Sequence, residues 1–515
     1  RGIVQAAACA ARAFAPRPLA NLLGLPRPAV LQALDALVGA EILRRRCDGA
    51  EDVYEFRHAL LQRVAYESML GSERRAMHAR IAAALRRGES VGPVLPGILA
   101  HHLTAAGDHT AAARAWLEAG VAAARRSAHT EAVGHIREGL RLLDRVAEPD
   151  LRRQMEVELQ AALIGPLAAL HGTSSAELAT CCRRGLQLCM DGEPTEQVFP
   201  FLFGLFTISL ARHRIREAVS LAELFVSVAE RKGYEPGRVV GHRILGMALV
   251  TAGEPRRARE SLELSLSLHP PNREFVDIST FGQDARVHGA ALLGITLFCL
   301  GEVDEAVRTM LGALRSAEAL RHPYSLGLVL GHACWLFGHL GANEAQMREA
   351  RRLIALSEQH RLGFLRTHGE AHFGWALCRQ GDLAQGSAVL EQAIAAFDAA
   401  NNNVGLVRYI AALADARRRT GRLAEAEALH ARALRMVREG GELWFEAEAL
   451  RVGALIARDE GGGGRREEEA EALLRDAAAR ARKREMPVFE LWCLLDLSRL
   501  LGPARPDPAV AARLG

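Results

Sequence analysis

Lysine is almost missing from this chain. Of 65 basic residues only Lys232 and Lys483 are lysines, and neither has a glycine before it or a hydroxyl residue after it. A P-loop needs Gly-x-x-x-x-Gly-Lys-Ser/Thr, because backbone amides cradle the phosphates and the lysine neutralises them. ATP hydrolysis by that route is therefore excluded for these residues. The arginine bias fits a GC-rich genome, and the runs Arg44–Arg46, Arg417–Arg419 and Arg482–Arg484 lie among 61 acids, giving a net charge of only +4. No basic stripe stands out, so the runs read as solvated helix faces and nucleic acid is not an expected partner. Nine cysteines show no Cys-x-x-Cys spacing. They read as small buried hydrophobes in a reducing compartment. Long apolar runs are missing too: the longest, Val198 to Ala211, contains Pro200 and is too short to span a bilayer. These absences predict a soluble, cytoplasmic protein. Aromatics make up 5% of residues, and alanine, leucine and arginine dominate, which favours helices.

What the chain does have is a ruler. Gly301, Gly341, Gly381 and Gly421 stand 40 residues apart, and Gly461 opens the next interval. Seven residues before each glycine sits something small: Gly294, Cys334, Gly374, Ala414 and Ala454. Small residues return after the turn as Ala306, Gly386 and Ala426, then as Ala313, Ala393 and Ala433; the second interval slips, with Ala345 one place early and Leu353 at the later position. Apolar residues between the glycines recur at three- and four-residue steps, so each interval reads as two amphipathic helices joined at the glycine. The column order resembles the tetratricopeptide repeat, whose usual period is about 34 residues, lengthened here by about one turn per pair. Gly253 and Gly107 fit the same template. The predicted fold is all-α, an α-solenoid in which stacked pairs share one continuous core.

Residues 1–88 differ. Helix-like runs at Ile3–Phe14, Pro18–Leu23 and Pro28–Val38 precede a basic, turn-containing segment at Arg44–Gly49 and a short alternating strand at Val53–Phe56. Three helices with a small hairpin predict a winged-helix domain over 1–88. A linker follows at 89–97, the array at 98–502 with an inserted loop between Leu268 and Asp284, and a disordered, proline-rich tail at 503–515.

The segments Phe56-Arg57-His58-Ala59-Leu60-Leu61, Ala100-His101-His102-Leu103, Gly282-Gln283-Asp284, His322-Pro323, Gly374-Trp375-Ala376-Leu377 and Glu442-Leu443-Trp444-Phe445-Glu446-Ala447-Glu448 come in an order. In that order they resemble the region after the nucleotide-binding module in bacterial signal-transduction ATPases of the STAND class, particularly those fused to class III adenylate or guanylate cyclase domains. Ala285 stands where that family often has proline, and the residues after Glu448 depart from its usual pattern. The resemblance implies a non-catalytic regulatory module with an ATPase domain upstream in cis, ATP or ADP bound there and no cofactor in this chain, and a protein or small-molecule effector on the solenoid. The chain opens on Arg1 inside a helical pattern, as a piece of a longer polypeptide would. The alternatives are a plain interaction scaffold and the sensor arm of a LuxR-type transcription regulator.

Few residues carry candidate chemistry. The resemblance implies that His58 reaches the β-phosphate of bound ADP; a packed strand-to-helix histidine is the other reading. His368-Gly-Glu-Ala-His372 lacks the glutamate directly after the first histidine that a metalloprotease needs, and no third ligand is evident, so no metal site is expected. In tetratricopeptide arrays the first helix of each pair lines the concave groove. That points His288, Leu328 and His368, then His332 and His372, then Ile295, Trp335, Trp375 and Asp415 toward it. His332, Trp335, His368, His372, Trp375 and Asp415 are the binding candidates of an aromatic, hydrogen-bonding floor; the alternative is that both tryptophans simply pack between helices.

Overall fold

Glycines with φ between +67° and +101° mark the turns inside the helix pairs: Gly253, Gly301, Gly341, Gly381, Gly421 and Gly461 all lie in the left-handed region. Only glycine enters that region without steric cost, so the 40-residue ruler is a row of turns. The computed structural model describes residues 1–10, 13–48, 51–88, 96–190, 196–268, 281–461, 464–502, 505 and 507–514. They divide into two units, residues 1–171 with 187–192, and residues 172–186 with 193–515. Helix pairs stack one on the next, and the chain is an all-α solenoid of tetratricopeptide-like pairs. Among the described residues no helix is long and apolar enough to cross a membrane.

The first unit begins with α1 (Gly2–Ala10), β1 (Ala13–Phe14), α2 (Pro16–Leu23), α3 (Arg27–Gly39), β2 (Leu43–Asp48) and β3 (Glu51–Phe56). The strands form an antiparallel sheet in the order β1-β3-β2, with Arg45 opposite Tyr54. Pro16 starts α2 and Gly24, at φ 66°, ends it, as proline's fixed φ and glycine's freedom favour. Phe14, Leu19, Val30, Leu34, Leu43, Tyr54 and Phe56 are buried together. Within the basic, turn-containing segment Arg44–Gly49, residues up to Asp48 belong to strand β2, while Gly49 lies outside the described residues. Arg44 pairs with Glu55 and Arg45 with Asp52 on β3, so cross-strand charge complementarity holds an edge strand that carries no apolar alternation. Beyond the sheet come α4 (Ala59–Glu67) and α5 (Gly71–Arg86), then α6 (Pro96–Ala106) and α7 (His109–Arg125), the latter two turning at Gly107. The linker read at 89–97 lies outside the described residues up to residue 95.

In the second unit the pairs run Val198–Ala211 with Ile215–Lys232, Glu235–Thr251 with Pro255–Ser267, Ala285–Cys299 with Val303–Leu320, and Pro323–His339 with Asn343–His360. Gly363–Gln380 with Leu383–Ala399, Leu406–Arg419 with Leu423–Gly440, and Glu446–Glu460 with Gly464–Lys483 complete them. The small columns are contact points. A Cβ added at Gly294 would lie 3.1 Å from the Ala306 carbonyl oxygen, and one at Gly374 would lie 3.1 Å from that of Gly386. The second interval does not slip: Gln346 occupies the column of Ala306, Gly386 and Ala426 and is fully buried. Most of the inserted loop, residues 269–280, lies outside the described residues. The tail corrects an expectation, because Pro508–Leu514 is helical and Val510 is buried against the last repeats.

The last pairs of this unit return to its earlier ones. His213 and Glu442, 229 residues apart, share a buried hydrogen bond of 2.6 Å. The Asn403 amide donates to the Ala211 carbonyl, and Arg256 pairs with Glu485 at 2.5 Å. Trp444 stacks on Trp335 with ring centres 5.1 Å apart, and Phe489 and Trp492 meet Phe298. The inner face of the repeats is thereby covered by the chain itself around Trp335 and Phe298.

Candidate functional site

A 40-residue period places one side chain from each successive first helix in a single column. His288, Leu328, His368 and Arg408 form one such column, His332, His372 and Ala412 the next, and Trp335, Trp375 and Asp415 a third. The structure brings these columns together on the inner face of the second unit. His288 and His332 stack 5.1 Å apart with their Nε2 atoms 3.0 Å from each other, and Nη1 of Arg243 lies 3.2 Å from Nδ1 of His288. His368 Nδ1 lies 2.9 Å from the Tyr409 hydroxyl. The His372 ring is 5.3 Å from the Tyr409 ring, and the Arg408 guanidinium sits over that ring at 4.8 Å.

Burial sets the electrostatics. It pushes the imidazoles of His332 and His339 down to about 3, with the Arg408 charge adding to the effect. His288, His368 and His372 are held well below the usual histidine range, by burial first and then by nearby arginine. Burial pushes the Tyr409 hydroxyl up to about 12. At neutral pH the face therefore holds neutral imidazoles, which offer one N–H and one lone pair each, around a guanidinium that stays charged.

The acids nearby are already engaged. Asp415 accepts two hydrogen bonds from Arg418, at 3.0 and 2.8 Å. Glu448 accepts from Arg451, which also holds Asp496. Arg408 itself makes one long hydrogen bond, to the Tyr409 hydroxyl at 3.4 Å, and no ion pair among the described residues. Its Nε is sealed from solvent without a partner, as are both ring nitrogens of His372 and Nε1 of Trp335. Each such group costs about 1–3 kcal/mol, and polar groups left unsatisfied in a folded interior need an explanation.

Burial qualifies the groove expectation, since His368 and His372 are 7% and 0% exposed. Of the binding candidates, His332 and Trp375 are half-buried and Trp335 is 0% exposed. It is closed in by His339, at 4.0 Å between ring centres, and by Trp444. Trp335 is thus covered, whereas Trp375, Arg408 and His332 remain partly accessible. Arg408, Tyr409, His339 and Trp444 are absent from the binding candidates the sequence offers. Arg408 was within reach, since it stands 40 residues after His368.

His58 sits apart, in the first unit, as the residue preceding α4. Its backbone is extended (φ −134°, ψ 138°), its side chain makes no cap, and it is exposed rather than packed. Leu60 and Val64, one turn apart on α4, are 69% and 57% exposed, and Leu70 is 69% exposed. Among the described residues no three His, Cys, Asp or Glu side chains converge to hold a metal ion.

No protein-family model matches the chain. It is similar to the uncharacterised protein R02095 of Rhizobium meliloti (strain 1021), with 22% identity over 76% of this chain and 37% of that protein. The chain thus spans little more than a third of the length of that relative. Among solved structures, it is similar to a STAND protein with a tetratricopeptide repeat sensor from Pyrococcus horikoshii, at 13% identity, a TM-score of 0.38, and coverage of 97% of this chain and 65% of that one. A Rap protein complexed with competence and sporulation factor matches at 12% identity and a TM-score of 0.38, covering 78% of this chain and 99% of that one. Aspartyl phosphate phosphatase F of Bacillus subtilis matches at 12% identity and a TM-score of 0.38, over 72% of this chain and 93% of its own.

Proposed function

We propose that this chain is the non-catalytic sensor arm of a cytoplasmic bacterial signalling ATPase, which binds an effector on the inner face of its second unit. The observation that carries this reading is the set of neutral imidazoles near Arg408, whose charge no carboxylate among the described residues answers. A catalytic site would pair a nucleophile with a base. Here burial raises the Cys334 thiol and the nearby acids are held by arginines, so the face is built to bind.

The first unit supports a coupling role. Its helix-strand-helix-helix-strand-strand order, with the first strand pairing the last, fits a winged-helix domain. The run Arg44–Arg46 is paired with Glu55 and Asp52, which disfavours the DNA-reading alternative, since phosphate contacts supply most of such affinity. In this reading an ATPase domain in cis packs on α4, covers Leu60, Val64 and Leu70, and brings its bound ADP to His58; a cyclase domain farther upstream is compatible with it. Effector binding then shifts the protein from an ADP-held resting state by differential affinity.

The test is nucleotide exchange in the complete polypeptide. His58→Ala should release ADP about tenfold faster, the loss expected for one hydrogen bond to a charged group. Identical release rates would remove His58 from the mechanism.

A further inference from the structure

We propose that the effector site takes an oxyanion, a carboxylate or phosphate group on a small molecule, held by Arg408 and the imidazoles around it. This rests on the inner face being the effector surface and names the chemistry it selects. Arg408 is a permanent cation with a sealed, unpartnered Nε and no ion pair among the described residues. His372, 0% exposed, has both ring nitrogens without a partner.

The groups facing this cluster from each element explain why no protein acid completes it. The Pro323–His339 helix presents His332, Cys334 and His339, and the Gly363–Gln380 helix presents His368, His372 and Arg379. Arg243 comes from the Glu235–Thr251 helix. Asp415 is held by Arg418 and Glu448 by Arg451. A guanidinium offers a planar fork that fits a carboxylate or phosphate with two parallel hydrogen bonds. The Tyr409 hydroxyl and neutral imidazole N–H groups add donors without needing protonation. Bound there, an oxyanion neutralises the charge and accepts from donors that otherwise have no partner, the Arg408 Nε–H and the one N–H of the neutral His372 imidazole. Partial exposure of Arg408 and His332 gives a small molecule a way in, while Trp444 and Phe445 cover the adjoining floor against a chain-sized ligand.

The test is thermal unfolding of the chain in sodium chloride, sodium phosphate and sodium acetate at matched ionic strength. Phosphate or acetate should raise the melting temperature above the chloride value by about 2 °C or more. Which of the two does so distinguishes a phosphate ester from a carboxylic acid. In Arg408→Met the rise should vanish, while the melting temperature in chloride stays level or increases, because an unpaired cation has been replaced by an apolar side chain of similar length. Should that variant not fold, Arg408→Lys, which keeps the charge and loses the fork, should retain a smaller rise. No rise with either anion in the parent chain, or an equal rise in Arg408→Met, overturns the proposal. Either result leaves the separate test of the sensor reading, ADP release on replacing His58, to stand or fall by itself.

Discussion

Trp335, with His339 against it, shows how burial redefines a residue that a sequence offers as a binding surface. Trp335 lies between the His339 ring and the stacked Trp444 ring, so its removal leaves a cavity the neighbours fill only in part. Trp335→Ala should cost about 3–5 kcal/mol in denaturant unfolding; a loss below about 1 kcal/mol would mean the ring is not packed as described. His339 makes a pH prediction. Its Nδ1 donates to the Trp335 carbonyl at 2.8 Å, and burial lowers its pKa from 6.5 to about 3. Between those values the unfolded chain binds a proton that the folded one refuses, so stability falls as pH drops below 6.5. By pH 5 this one imidazole contributes a loss of about 2 kcal/mol. His339→Phe should therefore flatten the decline in melting temperature between pH 7 and pH 5, and an unchanged slope would contradict the assignment. The ruler pointed His332, His368 and His372 toward one face, and extending it one interval past His368 would have reached Arg408. It could not show Trp444 lying over Trp335, because that contact comes from a different repeat and a different column.

Helix pairs stand or fall on their small columns. Ala426 is buried, and Ala414, Val452 and Ile456 pack around it, so Ala426→Leu should overpack the junction and cost about 1–3 kcal/mol; an unchanged unfolding curve would place the residue elsewhere. Such columns were legible because close helix approach demands small side chains and a left-handed turn demands glycine. Two elements were not. Strand β1 is only Ala13–Phe14, too short to show a period, and β2 is a run of arginines whose partners Glu55 and Asp52 lie on another strand. Gln346 was hidden for a related reason: a polar side chain at a small position looks like a slip in the sequence, yet the helix seats it fully buried.

For the molecule as a whole, the consequential feature is the closure of the second unit on itself. Glu442 accepts from both His213 and the Trp444 indole, at 2.6 and 2.9 Å, in a buried setting. Removing one partner of a buried pair typically costs about 3–5 kcal/mol, so Glu442→Ala should loosen the last repeats and speed proteolysis after residue 400. Cleavage at the parent rate would show that the contact does not hold them. On the proposal that an effector binds Arg408, it would act on helices lying between these closing contacts, and so be felt across the unit. Hydrogen exchange with and without phosphate or acetate reads this directly. Protection should rise in Gly363–Gln380 and Leu406–Arg419 of the parent chain and be absent in Arg408→Met. Protection confined to other helices, or equal in both proteins, would contradict an effector site on the inner face.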